Sequence, residues 1–385
     1  MIQKRLLFIV TTYQGTGGHY YSLCTTAKML CSCYDVTILN IGERLSPVVE
    51  KSGLQYKFSY FNFRNYHSIW RVIYNFIIEN DIEIVHCFDV TAYLAAIVPA
   101  YKTIIPVVLT KCGGNVPGRF SYPKIDNIIL YTREDESYFK IHAKYKNTHI
   151  YFIPNRVSLF ECNQNRINAL IGEYKLSGKR IIMRIGRISH YYEKTAIQTI
   201  NLVRDLHQID KRFVLLLIGN APEQDALNRI KGVISDKEYI FLITNSRFTL
   251  DAKELLDAAE CVVGTGRSFM EACHRNKKML APCKNTNYPI LVTDDNFEDV
   301  FAHNFSERYV NRAGEQPLDY LIENLNKEAN SRKWFEMYFS IDEVKEKYIS
   351  LYSSIQPSKL HMGSLVFPVF RSIISSFKWL KNLYK

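Results

Sequence analysis

Short apolar runs and amphipathic stretches take turns along this chain. Residues 6–10, 36–39, 82–86, 107–110 and 128–131 are each apolar or nearly so and four or five residues long, which is how strands covered on both faces of a parallel sheet read. Stretches of helical periodicity intervene, the first over 20–30. Ile153-Pro154-Asn155 then marks a loop, residues 161–179 are polar, and the alternation starts again. Strands are expected at 181–185, 213–218, 239–243, 261–263 and 279–281, with helices such as 196–207 and 251–259 among them. From about residue 319 the chain reads as charged helix, through 321–333 and 341–350. The fold class is therefore α/β, two Rossmann-like domains in tandem, whose ligand loops belong at the carboxyl edges of the two sheets. The expected divisions are 1–155 and 156–335 for the domains, 336–356 for a following helix, and 357–385 for a tail.

Composition supports two ordinary cores: 385 residues, 47% hydrophobic and 23% charged. The nine cysteines are scattered without paired CxxC spacing, so a reduced, cytoplasmic chain without a zinc or redox site is expected. Residues 6–10 are too short a run for a signal peptide, and the apolar zone 93–109 is cut by Pro99, Lys102 and Pro106, so no membrane span is expected.

Charge changes the picture more. The net +11 is uneven, because residues 357–385 carry Lys359, Arg371, Lys378, Lys381 and Lys385 and no acid. On a helical wheel Val366, Phe370, Ile373, Phe377, Leu380 and Tyr384 share one face, opposite Arg371, Ser375, Lys378, Asn382 and Lys385. That pattern predicts an amphipathic helix on an anionic membrane surface, with a helix docked on the core as the alternative. A nucleic-acid partner is not expected, since the excess lies in one tail and no recognition motif accompanies it.

Candidate chemistry sits at the strand ends. Gly15-Thr16-Gly17-Gly18 separates the first strand from its helix, where backbone N–H groups and the helix dipole suit a phosphate; a plain tight turn uses the same residues. Asn40 stands where a nicotinamide enzyme needs a ribose-binding acid, which argues against a dehydrogenase. Gly186-Arg187 and then Lys194 place two cations at a strand end and a helix start, a diphosphate clamp or else a solvated loop. Residues 261–271 run strand, Gly264-Thr265-Gly266-Arg267 turn and helix start, a second anion cradle. There Ser268-x-x-Glu271 has capping-box spacing, which competes with a ligand role for Glu271. His86 and Asp89 close a strand and could orient an acceptor hydroxyl, or His86 is a core histidine. His19 opens the helix after Gly18 and is the other candidate.

Taken in order, the first Gly-rich loop, Ile153-Pro154-Asn155, Gly186-Arg187 with Glu193-Lys194, Ile218-Gly219-Asn220 and the run from Gly264 to Glu271-Ala272 resemble glycosyltransferase family 4 over roughly residues 5–300. The resemblance implies a GT-B fold, with a nucleotide-sugar donor held mainly by the second domain and an acceptor mainly by the first. It implies transfer with retention at the anomeric carbon, no cofactor and no required metal, and a C-terminal helix that crosses back to the first domain. By position Arg187 and Lys194 match the pair that neutralises the donor diphosphate, and Glu271 matches the ribose-binding glutamate. Gly17 and Gly18 would face the phosphates from the other domain. The implied role is the transfer of a sugar, UDP-linked, to a glycan or lipid-linked acceptor in bacterial surface-polysaccharide assembly, at the inner face of the membrane. Departures are Val263 in place of a second glutamate, Cys112 in place of a histidine, Asn155-Arg156 at the junction, and a longer spacing from Arg187 to Lys194. They leave open a noncatalytic GT-B scaffold that binds a membrane-bound assembly partner.

Overall fold

A computed structural model describes residues 3–12, 17–62, 66–118, 121–235 and 237–370. The chain divides into two compact units, 1–156 with 341–385, and 157–340.

In the first unit, seven parallel strands, β1 (Arg5–Thr12), β2 (Asp35–Gly42), β3 (Tyr56–Tyr60), β4 (Ile84–Cys87), β5 (Val107–Lys111), β6 (Asn127–Leu130) and β7 (His149–Phe152), form one sheet in the order β3-β2-β1-β4-β5-β6-β7. The apolar run in β1 is explained by burial on both faces. Leu6, Phe8 and Val10 pack under the helices Gly18–Leu30 and Ile341–Ser354, while Leu7 and Ile9 pack under Tyr66–Glu79 and Val90–Lys102. The helix Ile341–Ser354 belongs to this core, because Val344, Tyr348, Leu351 and Tyr352 recur at helical spacing and are all buried. At about 1.5–3 kcal/mol for each large side chain taken from water, that stripe holds the returning helix on the sheet.

In the second unit, β8 (Arg180–Ile185), β9 (Phe213–Ile218), β10 (Ile240–Ile243), β11 (Cys261–Val263), β12 (Lys278–Ala281) and β13 (Ile290–Leu291) form a sheet in the order β10-β9-β8-β11-β12-β13, parallel except for β13. The helices Glu193–Ile209 and Gln224–Ile234 bury Ile200, Val203, Leu206, Ile230 and Ile234 against one face. The chain enters and leaves this unit at one place, where Val157 pairs with Ser340 and Val157 N donates to Phe339 O at 3.0 Å.

Three strands have no counterpart in the pattern analysis, and all three lie at sheet edges. β3 and β7 are bonded on one side and largely exposed or half-buried, and β13 is two residues long, so none needs an apolar run. The expected helix over 321–333 is corrected. A helix spans Leu318–Leu325, residues 326–330 offer no apolar stripe to bury, and the chain resumes as Arg332–Trp334 and a π-turn Phe335–Phe339. The helix expected over 251–259 is a 3₁₀ segment, Ala252–Ala258. No helix of the described residues is long and apolar enough to cross a membrane.

The tail is described only to residue 370. Leu365 is buried against the first unit's core, whereas Met362, Val366, Phe367 and Phe370 are exposed. Ile373, Phe377, Leu380 and Tyr384, with Arg371, Ser375, Lys378, Lys381, Asn382 and Lys385, lie outside the described residues.

Candidate functional site

Three loops leave the carboxyl edge of the second sheet from adjacent strands: 186–189 after β8, 219–222 after β9 and 264–266 after β11. Two backbone bonds pin the first to the second, Gly186 N to Ile218 O at 3.0 Å and Ile188 N to Asn220 O at 2.9 Å. Their approach is so close that a Cβ on Gly219 would stand 1.8 Å from Gly186 O, which only glycine avoids. Gly264 is held as tightly from below, since a Cβ there would meet Phe269 Cα at 2.6 Å. Phe269 in turn stacks on Phe305 with ring centroids 3.7 Å apart. Gly266 takes φ +50 and its N–H donates to Asn304 O at 2.9 Å, tying the turn to the 304–309 segment.

On this scaffold Arg187 is half-buried directly after Gly186. Lys194, exposed in the first turn of Glu193–Ile209, donates from Nζ to Lys284 O at 2.6 Å. Glu193 beside it faces Arg229, whose Nε stands 2.8 Å from Oε1 and holds the carboxyl below the usual range. The sheet order therefore puts the expected cations and the Gly264–Arg267 turn on neighbouring strands of one edge.

The expected capping box is corrected. The helix is Arg267–His274, with Gly266 as its N-cap, two residues earlier than Ser268 would require. Ser268 Oγ turns back to Thr265 instead, donating to its O at 3.0 Å and accepting from its N at 3.1 Å. Glu271 is thereby released from capping and faces Arg267, Oε1 to Nε 2.8 Å.

The first unit treats its candidates differently. His86 is fully buried, 2.6 Å from Tyr352 Oη on one ring nitrogen and 2.6 Å from Thr110 Oγ1 on the other. Burial, reinforced by Arg156, pushes its pKa well down, so it stays neutral. It is a strut between the sheet and the returning helix. Asp89 accepts from Thr11 N at 2.7 Å, Thr11 Oγ1 at 3.0 Å and Ala92 N at 2.8 Å, capping Val90–Lys102. Burial raises its pKa against those bonds. Neither arrangement presents the group to an acceptor, which corrects the expectation for both. Gly17 caps the helix Gly18–Leu30 with extended backbone, and a Cβ on Gly18 would meet nothing within 4 Å. His19 is half-buried with its ring 3.9 Å from that of Tyr20. Gly15 and Thr16 lie outside the described residues. Cys112 accompanies Phe88 O at 3.5 Å, and burial lifts its thiol to about 12.

Two features escaped the sequence reading. Lys111, at the end of β5, forms a buried ion pair with Asp135 at 2.9 Å and donates to Gly113 O at 2.9 Å, fixing the glycine turn with φ +107 and +85. Nothing in the charged run 133–136 singles Asp135 out. Arg184, in contrast, stands inside an apolar run, and that oddity was its signal. It is 3% exposed.

No family model matches this chain, and no curated protein does. Solved structures do. HepE of Anabaena in complex with UDP and glucose is 14% identical and superposes with a TM-score of 0.66, covering 92% of this chain and 100% of its own. A glycosyltransferase from Rickettsia africae gives 0.65 at 14% identity, covering 91% and 98%. The UDP-GlcNAc 2-epimerase of Methanocaldococcus jannaschii gives 0.56 at 13%, covering 91% and 99%. The shared property is the fold: α/β, with two Rossmann-like domains of the GT-B class.

Proposed function

We propose that this protein is a retaining glycosyltransferase that moves a sugar from a nucleotide-sugar donor, UDP-linked, to a glycan or lipid-linked acceptor. The observation that carries the reading is the edge of the second sheet, where Arg187 and Lys194 flank one glycine-pinned loop and Gly264, Gly266, Arg267 and Glu271 form the next. UDP in the complex with HepE supports the choice of nucleotide.

In this reading the bond from the sugar's anomeric carbon to the phosphate oxygen breaks as the acceptor hydroxyl bonds to that carbon. The hydroxyl proton passes to the departing phosphate. Charge grows on the nucleoside diphosphate, and fixed cations aimed at it lower the barrier. Arg187 supplies a planar fork and Lys194 a point charge, so the reaction needs no metal and no further cofactor. Glu271 accepts from the ribose hydroxyls. The first unit receives the acceptor, with His19 as its candidate polar contact once His86 and Asp89 are committed to structure.

The proposal extends to place. Met362, Val366, Phe367 and Phe370 are exposed together just before the basic residues of the tail, which fits a peripheral protein at the inner face of the membrane, in surface-polysaccharide assembly. A noncatalytic scaffold is the second reading. Val263, buried in β11 where the family resemblance calls for a glutamate, favours it.

Calorimetric titration with UDP tests the donor site. Arg187→Ala weakens binding more than Arg187→Lys, and Lys194→Ala does so more mildly. Wild-type affinity in both alanine variants contradicts the placement.

A further inference from the structure

Arg184 is the one cation inside the apolar run of β8. Its side chain shares a face with Ile182 and Leu217, beneath the helix Glu193–Ile209. A Cβ built on Gly186 would lie 3.5 Å from Nη2, 3.6 Å from Cζ and 3.7 Å from Nη1. The guanidinium therefore lies flat under the first residue of the loop that leads to Arg187. Although 97% removed from solvent, it forms no ion pair among the described residues, and its Nη1 has no hydrogen-bond partner. Tyr192 and Glu307 are the groups that act on it electrostatically, and Glu307 Oε2 is itself buried without a partner.

A buried guanidinium left with an unused donor is costly, and such a cost persists where something outside the folded chain repays it. Here the unused donor sits at the root of the loop on which the donor clamp is built. We infer that Arg184 is a third cation for the bound nucleoside diphosphate, taking a phosphate oxygen from beneath the Gly186 loop. Arg187 and Lys194 hold the same group from the loop and the helix start. The inference rests on the donor placement proposed above. It gives this chain a binding residue from within the sheet itself, set under the half-buried and exposed cations of the edge.

The account predicts opposite signs for stability and binding. In Arg184→Met the buried charge is gone, so the free protein melts at the same or a higher temperature. UDP affinity by calorimetry falls tenfold or more, while any binding of uridine is unchanged. Arg184→Lys keeps the charge without the fork, and its UDP affinity falls between the two. An Arg184→Met protein that binds UDP as wild type does overturns the inference and leaves the donor site standing. One that fails to fold, or melts well below wild type, also overturns it, because the guanidinium then serves the core. A wild-type protein that binds no UDP removes the donor reading and this inference with it.

Discussion

Arg267 and Glu271 face each other one helical turn apart at 2.8 Å, with both side chains nearly nine-tenths buried. The ion pair takes the place of the capping box that the spacing of Ser268 and Glu271 suggests. Its consequence is that Glu271 holds one wall of the glycine turn while remaining the ribose candidate. Glu271→Gln therefore loses stability, by about 1–3 kcal/mol for a charge-assisted bond, and also loses about tenfold in UDP affinity. Melting and calorimetry read the two separately. Lost stability at unchanged affinity would confine Glu271 to positioning Arg267.

Gly219 at the edge and Gly232 in a helix stand in opposite surroundings. Gly219→Ala forces its Cβ into the Gly186 carbonyl, so the β8 loop must move, at a cost of roughly 1–3 kcal/mol or more, and UDP binding weakens with it. Gly232, inside the helix Gln224–Ile234, has open space around it. Gly232→Ala should stabilise by about 0.5–1 kcal/mol and leave binding alone. Equal melting temperatures for the two variants would contradict the packing described for the edge.

Much of this was readable in the chain, for physical reasons that differ by position. Leu6 to Val10 announce a central strand because both faces are covered, whereas Tyr56–Tyr60, half out of the core at a sheet edge, carry no such mark. The positions of Arg187, Gly264 and Gly266 follow from strand ends, which sequence locates well. Partners do not follow. His86 finds Tyr352 266 residues away, and Lys111 finds Asp135 across a loop and a strand, so whether a polar residue is a strut or a ligand depends on tertiary neighbours. Ser268 failed as a cap because the helix starts two residues earlier than its spacing to Glu271 requires.

His86 also gives the first unit a pH signature. In the unfolded chain it gains a proton near pH 6.5, while in the folded state its lowered pKa delays protonation. Below about pH 6.5 the unfolded state therefore binds more protons, and stability falls by up to about 1.4 kcal/mol per pH unit until the folded pKa is reached. His274 in the second unit, lowered to about 4 chiefly by burial, adds in the same direction. His86→Gln should flatten the first unit's dependence between pH 6.5 and 5 in denaturant titrations. A slope identical to wild type would mean that His86 is not the group responsible.

The exposed stripe at Met362, Val366, Phe367 and Phe370 predicts association with anionic vesicles. Flotation with phosphatidylglycerol liposomes should fall with rising salt, as expected for about 1 kcal/mol per cation near the surface. It should be largely lost on Phe367→Ser with Phe370→Ser, or on removal of residues 368–385. Flotation unchanged in both variants contradicts the membrane assignment.

Turnover tests the central claim most directly. The protein is incubated with a panel of UDP-sugars and lipid-linked or oligosaccharide acceptors, with UDP release and the product's anomeric configuration followed by NMR in the presence of a chelator. The account predicts UDP release from a member of the panel, dependent on Arg187 and insensitive to chelation, with the donor's anomeric configuration kept in the product. UDP bound at the Arg187 edge with neither transfer nor hydrolysis of any donor would contradict it, and the scaffold reading would take its place.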